Sequence, residues 1–99
     1  MVVRIALLGL GAMGHPIARN LADKRASEAE TIVAVDSDPA RLAGLDAPGL
    51  VATADPAAID GAEVLFLCLP NGDVVESALF GAGRLAERLA PGAVVVDLS

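Results

Sequence analysis

The stretch LLGLGAMGHPIARNLA, Leu7 to Ala22, decides the fold of this 99-residue chain. It places Gly9, Gly11 and Gly14 within the most apolar part of the sequence, although glycine costs stability in the interior of a helix or strand. The three glycines stand between a continuous apolar run and a second run whose apolar residues recur with helical period. A tight turn from a buried strand into a helix accounts for both features.

The composition favours an α/β domain. Hydrophobic residues make up 55% of the chain, but only two of them are aromatic, Phe66 and Phe80. Valine, leucine, isoleucine and alanine must therefore fill the core, as they do in parallel sheets covered by helices. The length is sufficient for one compact core, so we expect a single domain.

Charge and cysteine content exclude several classes of protein. A net charge of −6 argues against a nucleic-acid surface, which needs clustered lysine and arginine. The single Cys68 has no partner for an internal disulfide, which indicates a reducing compartment. No apolar run reaches the ~18 residues of a membrane span. We expect a cytoplasmic protein without a membrane or nucleic-acid partner.

Strand and helix patterns alternate along the whole chain. This alternation predicts a Rossmann-like, doubly wound parallel sheet with right-handed crossovers and the strand order 3-2-1-4-5. The predicted strands are Val2–Leu8, Thr31–Val35, Leu50–Thr53, Glu63–Leu69 and Ala93–Leu98. The predicted helices are Ala12–Ala22, Pro39–Leu45, Pro56–Ile59, Gly72–Phe80 and Arg84–Leu89.

The glycines and one acid form a dinucleotide-binding pattern. They satisfy GxGxxG at a strand-to-helix turn, and Asp36 ends the second strand about 20 residues further on. In this pattern the amides of Ala12, Met13 and Gly14 face a diphosphate, while Asp36 accepts hydrogen bonds from the adenine ribose. Asp36 would repel a 2′-phosphate and Ser37 could not neutralise one, so NAD is preferred to NADP. Arg41, one turn into the second helix, is the residue that argues against this preference for NAD.

Three alternatives remain open from the residues alone. The glycines could form a tight turn without a ligand, or the chain could be a dinucleotide-binding module without catalysis. The third alternative is an S-adenosylmethionine-dependent methyltransferase, which also uses a glycine loop and an acid after the second strand.

One histidine and one cysteine supply no catalytic triad and no metal site. His15, in the first turn of the first helix, is expected to be structural or solvent-facing.

Three stretches resemble the β-hydroxyacid dehydrogenase family, the group of 3-hydroxyisobutyrate dehydrogenase and, more distantly, 6-phosphogluconate dehydrogenase. They are GLGAMGHPIARNLA, then LCLPNGDVVESALFG from Leu67 to Gly81, and VVVDLS from Val94 to Ser99. The resemblance implies an NAD-dependent oxidoreductase of 3-hydroxy acids or their semialdehydes, with Ser99 as a substrate-binding residue. Together, pattern and resemblance give these cofactor-binding residues: Gly9, Leu10, Gly11, Ala12, Met13, Gly14, Asp36, Ser37, Leu69, Pro70, Asn71 and Val74.

The sequence also departs from that family. The family's catalytic lysine and its helical substrate domain lie further along the chain than Ser99, and Lys24 is in the wrong place for that role. We therefore expect residues 1–99 to be an incomplete dinucleotide-binding domain that binds cofactor without catalysing hydride transfer. The small hydroxy acid would be a substrate of the full-length enzyme. The apolar last strand, with Asp97 as its one charge, predicts pairing with a second chain, either into a homodimer or into an aggregate.

Overall fold

The five strands form one parallel sheet in the order β3-β2-β1-β4-β5, which confirms the predicted topology. The computed structural model describes residues 3–24, 30–69, 72–81 and 84–98. The central strand β1 pairs with β2 on one side and β4 on the other, and Leu8 lies beside both Val35 and Leu67. The strands are β1 Val3–Leu8, β2 Glu30–Val35, β3 Leu50–Thr53, β4 Val64–Leu67 and β5 Val94–Asp97.

The helical elements cover both faces of the sheet. One face buries Ala6 and Leu8 against the element that follows β4, and the other buries Leu7 and Ala34 against the helix that follows β1. Alternate residues of β1 therefore enter two separate cores, which explains the continuous apolar run from Ile5 to Leu8 that follows Arg4. The α-helices are α1 Gly14–Asp23, α2 Pro39–Leu42 and α3 Gly72–Phe80, and two 3₁₀ helices span Pro56–Ile59 and Leu85–Arg88.

Two helices are shorter than predicted. Helix α1 begins at Gly14 rather than Ala12, because residues 11–13 form the turn that leaves β1. Helix α2 ends at Leu42 rather than Leu45, since Ala43 is extended, with ψ at 138°, and Gly44 has a φ of 80°. The predicted helix from Arg84 to Leu89 is a 3₁₀ helix over Leu85–Arg88.

The predicted bounds of the last two strands are too wide, although parts of their flanks still pair. The Glu63 amide donates to the Arg4 carbonyl, and the Cys68 amide donates to the Leu8 carbonyl, both at 2.9 Å. These bonds continue the contact between β4 and β1 beyond the strand itself. In the same way, the Leu98 amide donates to the Leu67 carbonyl at 2.8 Å.

The length and the apolar character of a helix decide whether it could cross a membrane. Within the parts of the chain that the structure describes, no helix has the length and apolar character needed to cross a bilayer.

Candidate functional site

The turn after β1 leaves no room for side chains at two of its glycines. Gly9 has a φ of 98°, and a Cβ there would collide with the carbonyl of Cys68. A Cβ on Gly14 would run into the carbonyl oxygen of Gly9. Both obstacles are backbone atoms, which cannot rotate away as a side chain can. Gly9 and Gly14 therefore allow α1 to start directly against the ends of β1 and β4.

Gly11 is different, because the fold itself does not require a glycine there. The nearest atom to a Cβ at Gly11 is Nη1 of Arg41, at an ordinary contact distance of 3.9 Å. Ala12 and Met13 follow on the exposed part of the turn. Since the first amides of any helix have no acceptor within the helix, the start of α1 is suited to an anion. Because the neighbour of Gly11 is the flexible end of a side chain and not backbone, a glycine here fits the close approach of a diphosphate.

Asp36 is a buried carboxylate at the end of β2, with 6% of its surface exposed. Its Oδ2 accepts a hydrogen bond from the Leu10 amide at 2.8 Å, and its Oδ1 accepts one from the Asp38 amide at 2.9 Å. The carboxylate thereby ties the glycine turn to the loop after β2. Oδ1 has a second acceptor position, and Oδ2 also accepts from Nη1 of Arg41 at a long 3.5 Å. Asp36 fits the hydrogen-bond acceptor that a ribose diol requires.

The surroundings of Asp36 favour its charged form. Burial alone would raise its pKa, but hydrogen bonds from the amides of Asp38 and Leu10 and the positive charge of Arg41 outweigh burial. The pKa of Asp36 therefore lies below its ordinary value. The side chain is a full anion at neutral pH.

Arg41 lies over the same corner. Its Nη1 is 3.5 Å from Oδ2 of Asp36, and its Nε is 3.9 Å from Oδ2 of Asp38. Asp38 also caps α2, since its Oδ1 accepts from the Ala40 amide at 3.0 Å. The Arg41 side chain is 53% exposed, so solvent weakens both ion pairs and leaves the guanidinium able to move.

A cleft of about 530 Å³ opens beside Asp36 and brings several predicted residues together. Its lining includes the predicted residues Gly9, Asp36, Ser37, Leu69 and Val74, together with Arg41 and Cys68. The side chain of Leu10 is buried in the core instead, and this residue takes part through its amide. Four other predicted residues that the structure describes lie outside this lining: Gly11, Ala12, Met13 and Gly14. Pro70, Asn71 and Ser99 lie outside the described residues.

Sequence reasoning missed the second wall of the cleft. Ala54, Asp55, Pro56 and Ala57 form it, at the start of the first 3₁₀ helix. The Asp55-Pro56 pair predicts a helix start, and Oδ1 of Asp55 does accept a hydrogen bond from the Ala57 amide at 3.0 Å. The signal for a site was the repetition of the Asp-Pro pair after two adjacent parallel strands, β2 and β3, whose carboxyl ends meet at one edge.

Cys68 lines the cleft, whereas His15 does not. Cys68 is half-buried, and burial, with a contribution from the charge of Asp97, raises the pKa of its thiol. His15 is half-buried, and its Nε2 is 3.1 Å from the carbonyl oxygen of Ala43. Among the described residues, no group of three or more acidic, histidine or cysteine side chains could hold a metal ion.

Known proteins with similar sequences are oxidoreductases of small hydroxy acids and aldehydes. The chain is 35% identical over 98 residues to 2-(hydroxymethyl)glutarate dehydrogenase of Eubacterium barkeri. It is 36% identical over 96 residues to 3-sulfolactaldehyde reductase of Escherichia coli K12. These alignments cover 98% and 96% of the chain but 31% of each relative, so the chain spans about a third of their length.

A solved structure gives the same fold. Prephenate dehydrogenase from A. aeolicus, crystallised with hydroxyphenyl propionate and NAD⁺, superimposes with a TM-score of 0.71 at 21% identity. The match covers 98% of this chain and 33% of that one. The family model described as the NAD binding domain of 6-phosphogluconate dehydrogenase matches residues 4–99. The chain therefore belongs to the family of NAD-binding domains typified by that of 6-phosphogluconate dehydrogenase.

Proposed function

We propose that this chain binds NAD at the corner formed by the glycine turn and Asp36, as the cofactor-binding part of a hydroxyacid oxidoreductase. The observation that carries the proposal is the buried Asp36 carboxylate, bonded at 2.8 Å to the Leu10 amide, which precedes a glycine that the packing of the fold does not require. Bound NAD would supply the hydride acceptor. The chain would supply a seat for the diphosphate and a fixed anion for the ribose.

The roles of the remaining cofactor residues follow from their places around this corner. The amides of Ala12, Met13 and Gly14 would donate to the diphosphate at the start of α1. Ser37, Leu69 and Val74 would border the adenosine half, since they line the cleft beside Asp36. Pro70 and Asn71 as cofactor contacts, and Ser99 as a substrate contact, remain part of the proposal through the family resemblance.

NAD is preferred to NADP because Asp36 is negatively charged where a 2′-phosphate would have to lie. Two like charges in a partly buried corner repel strongly, since solvent screens them poorly there. Arg41 acts in the opposite direction, because its guanidinium is 3.5 Å from the same carboxylate and could approach a 2′-phosphate. The preference is therefore one of degree and depends on where Arg41 is held.

The substrate of the full-length enzyme would be a small 3-hydroxy acid or its semialdehyde. Two relatives with this chemistry in their names, a hydroxymethylglutarate dehydrogenase and a sulfolactaldehyde reductase, support this class. No catalytic residue is assigned within residues 1–99. We expect these residues alone to bind cofactor without turnover. The match to an NAD-binding family favours this function over S-adenosylmethionine chemistry.

Two further proposals concern the cellular compartment of the protein and its partner chain. A free, half-buried thiol at Cys68 suits the reducing cytoplasm. The edge strand β5 exposes Val94 and Val95, at 57% and 42%, and would pair with β5 of a second copy to form a homodimer.

Calorimetric titration of the chain with NADH tests the cofactor proposal. The test variant is Gly11→Ala, because a Cβ at Gly11 is at an ordinary 3.9 Å from Nη1 of Arg41 and should leave the fold intact while it takes the space that the diphosphate would approach. We expect the unmodified chain to bind NADH and the variant to lose at least tenfold in affinity, with unchanged circular dichroism. Equal binding by both chains, or displacement of NADH by S-adenosylmethionine, would contradict the proposal.

A further inference from the structure

We propose that His15 is a positioning residue that holds Arg41 in place and thereby sets the discrimination between NAD and NADP. This inference rests on the proposed function and adds a residue to it. His15 belongs to α1, whereas Arg41 belongs to what we call the α2 arm, residues 38–45. The hydrogen bond from the His15 ring to the Ala43 carbonyl, at 3.1 Å, joins α1 to this arm.

The hydrogen bond fixes which ring nitrogen carries the proton. A carbonyl oxygen only accepts, so Nε2 of His15 must donate to Ala43. The donating Nε2 ties the first turn of α1 to the segment that follows α2, so the bond behaves as a structural brace between two elements.

The α2 arm needs such a brace because its helix is short and exposed. Helix α2 has four residues, and none of them is buried. At one end of the arm the Asp38 amide is bonded to Asp36, and at the other end Leu45 is buried in the core. Between these ends, Gly44 adopts a φ of 80°, and no neighbouring atom lies within 4 Å of the place a Cβ would take. Leu42 packs against the core, and the bond to Ala43 holds the exposed segment that follows it.

The other end of the brace is firmly anchored. The His15 amide donates to the Gly11 carbonyl at 3.1 Å, and the preceding Gly14 is packed against the backbone of Gly9. His15 therefore stands on a tightly packed turn. A movement of the arm relative to this turn would have to break the bond to Ala43.

The position of the arm decides where the Arg41 guanidinium lies. Its Nη1 is 3.5 Å from Asp36 and 3.9 Å from the Cβ position of Gly11, so it spans the space between the turn and the acid. While the arm is braced, the backbone of Arg41 keeps its place, and the mobile guanidinium has Asp36 as its nearby partner. A released arm would let Arg41 turn toward a 2′-phosphate, which improves NADP binding relative to NAD binding.

The two dinucleotides separate this role from a general structural one. NAD and NADP share the diphosphate and differ at the 2′ position, so damage to the glycine turn weakens both equally. A residue that acts through Arg41 changes the ratio of their dissociation constants instead. We therefore expect His15→Ala to lower the ratio of the NADP to the NAD dissociation constant by about threefold to tenfold, the value of one hydrogen bond.

Two variants and a control complete the binding experiment. His15→Gln, whose amide nitrogen can reach the same carbonyl, should restore the ratio. In an Arg41→Ala background, His15→Ala should no longer change it. Arg19→Ala, an exposed change on the same helix, should leave the ratio unaltered. A ratio that rises or stays within about twofold in His15→Ala, or equal weakening of both cofactors, would overturn the proposal.

Amide hydrogen exchange tests the brace without any cofactor. The reporters are the amides of Arg41 and Leu45, which donate within the arm to Asp38 and Leu42 at 3.0 and 3.3 Å. We expect both to exchange faster in His15→Ala and to recover in His15→Gln, and unchanged exchange would refute the brace. If the unmodified chain binds neither dinucleotide, the proposed function fails, and this exchange experiment alone decides whether the brace exists.

Discussion

The Asp36 corner and the β5 edge break the usual rule of burial in opposite ways. At the corner a carboxylate is 6% exposed, whereas on β5 the Val94 side chain is 57% exposed. The buried carboxylate has a fixed set of donors, including the amides of Leu10 and Asp38. The exposed valine has no directional requirement. The corner can therefore select a ligand by its chemistry, while the edge can select a partner only by shape and pairing.

The corner depends on the glycine turn, and breaking that turn should have the largest effect. We expect Gly14→Ala to lower the free energy of unfolding by about 2 kcal/mol, because its Cβ would meet the backbone of Gly9. Urea denaturation followed by circular dichroism measures this. Gly72→Ala is the matched control, since nothing lies within 4 Å of its Cβ position and alanine favours α3. Equal destabilisation by the two changes would contradict the packing argument.

The charge of Asp36 should make the corner sensitive to acid. Its pKa is lowered in the folded protein, so its contribution to stability is complete above its unfolded pKa of about 3.9. That contribution is lost as the pH falls through the folded pKa.

Asp36→Asn provides the measurement. We expect the variant to be less stable than the unmodified chain by about 1 to 2 kcal/mol at pH 7, and the difference to shrink steadily below about pH 4. Urea denaturation across this range gives both quantities. Ser37→Ala, at the exposed neighbouring position, should show no such trend. A difference that grows on acidification would show that the sign of the linkage is wrong.

Arg41 should sharpen the selectivity of the corner with little effect on folding. We expect Arg41→Ala to raise the NADPH dissociation constant about fivefold and that of NADH less than about twofold, since only NADPH gains a partner for the guanidinium. Fluorescence titration gives both constants. Arg88→Ala is the control, because Arg88 also lines the cleft but is paired with Asp60 at 2.9 Å. A larger effect of Arg88→Ala on the NADPH dissociation constant would indicate that the 2′-phosphate lies near Arg88 and not near Asp36.

The β5 edge should give the smallest effect, one on association rather than folding. Val95→Lys is expected to shift the chain from dimer toward monomer, because lysine on an edge strand opposes pairing. Sedimentation equilibrium measures the shift. The control is Val51→Lys, a similarly exposed valine on β3 at the other edge of the sheet. If both variants or neither change the association, β5 is not the interface.

The fold could be predicted from the sequence because its signals are local. A continuous apolar strand must be buried on both faces, and the GxGxxG turn at its end starts a helix, so the strand order followed from general rules. The end of α2 at Leu42 could not be predicted, since it depends on the extended Ala43 and its contact with His15. That contact joins residues 28 positions apart in the sequence.

The candidate site was predictable in its residue types but not in its internal bonds. Asp36 was identified from its distance to the glycines, yet its hydrogen bonds to Leu10 and Asp38 require the folded turn. The exposure of β5 was also unpredictable in extent, because valine-rich strands have the same sequence signature in the centre and at the edge of a sheet.

The two amide bonds of Asp36 have a consequence for redesigning cofactor preference. The same carboxylate that would select NAD also joins the ends of β1 and β2, so its removal leaves the amides of Leu10 and Asp38 without their acceptor. A change of preference that begins at position 36 would weaken the scaffold at the moment it alters the ligand. A route through Ser37 and Arg41 would leave that joint intact, and evolution or engineering should find it more accessible.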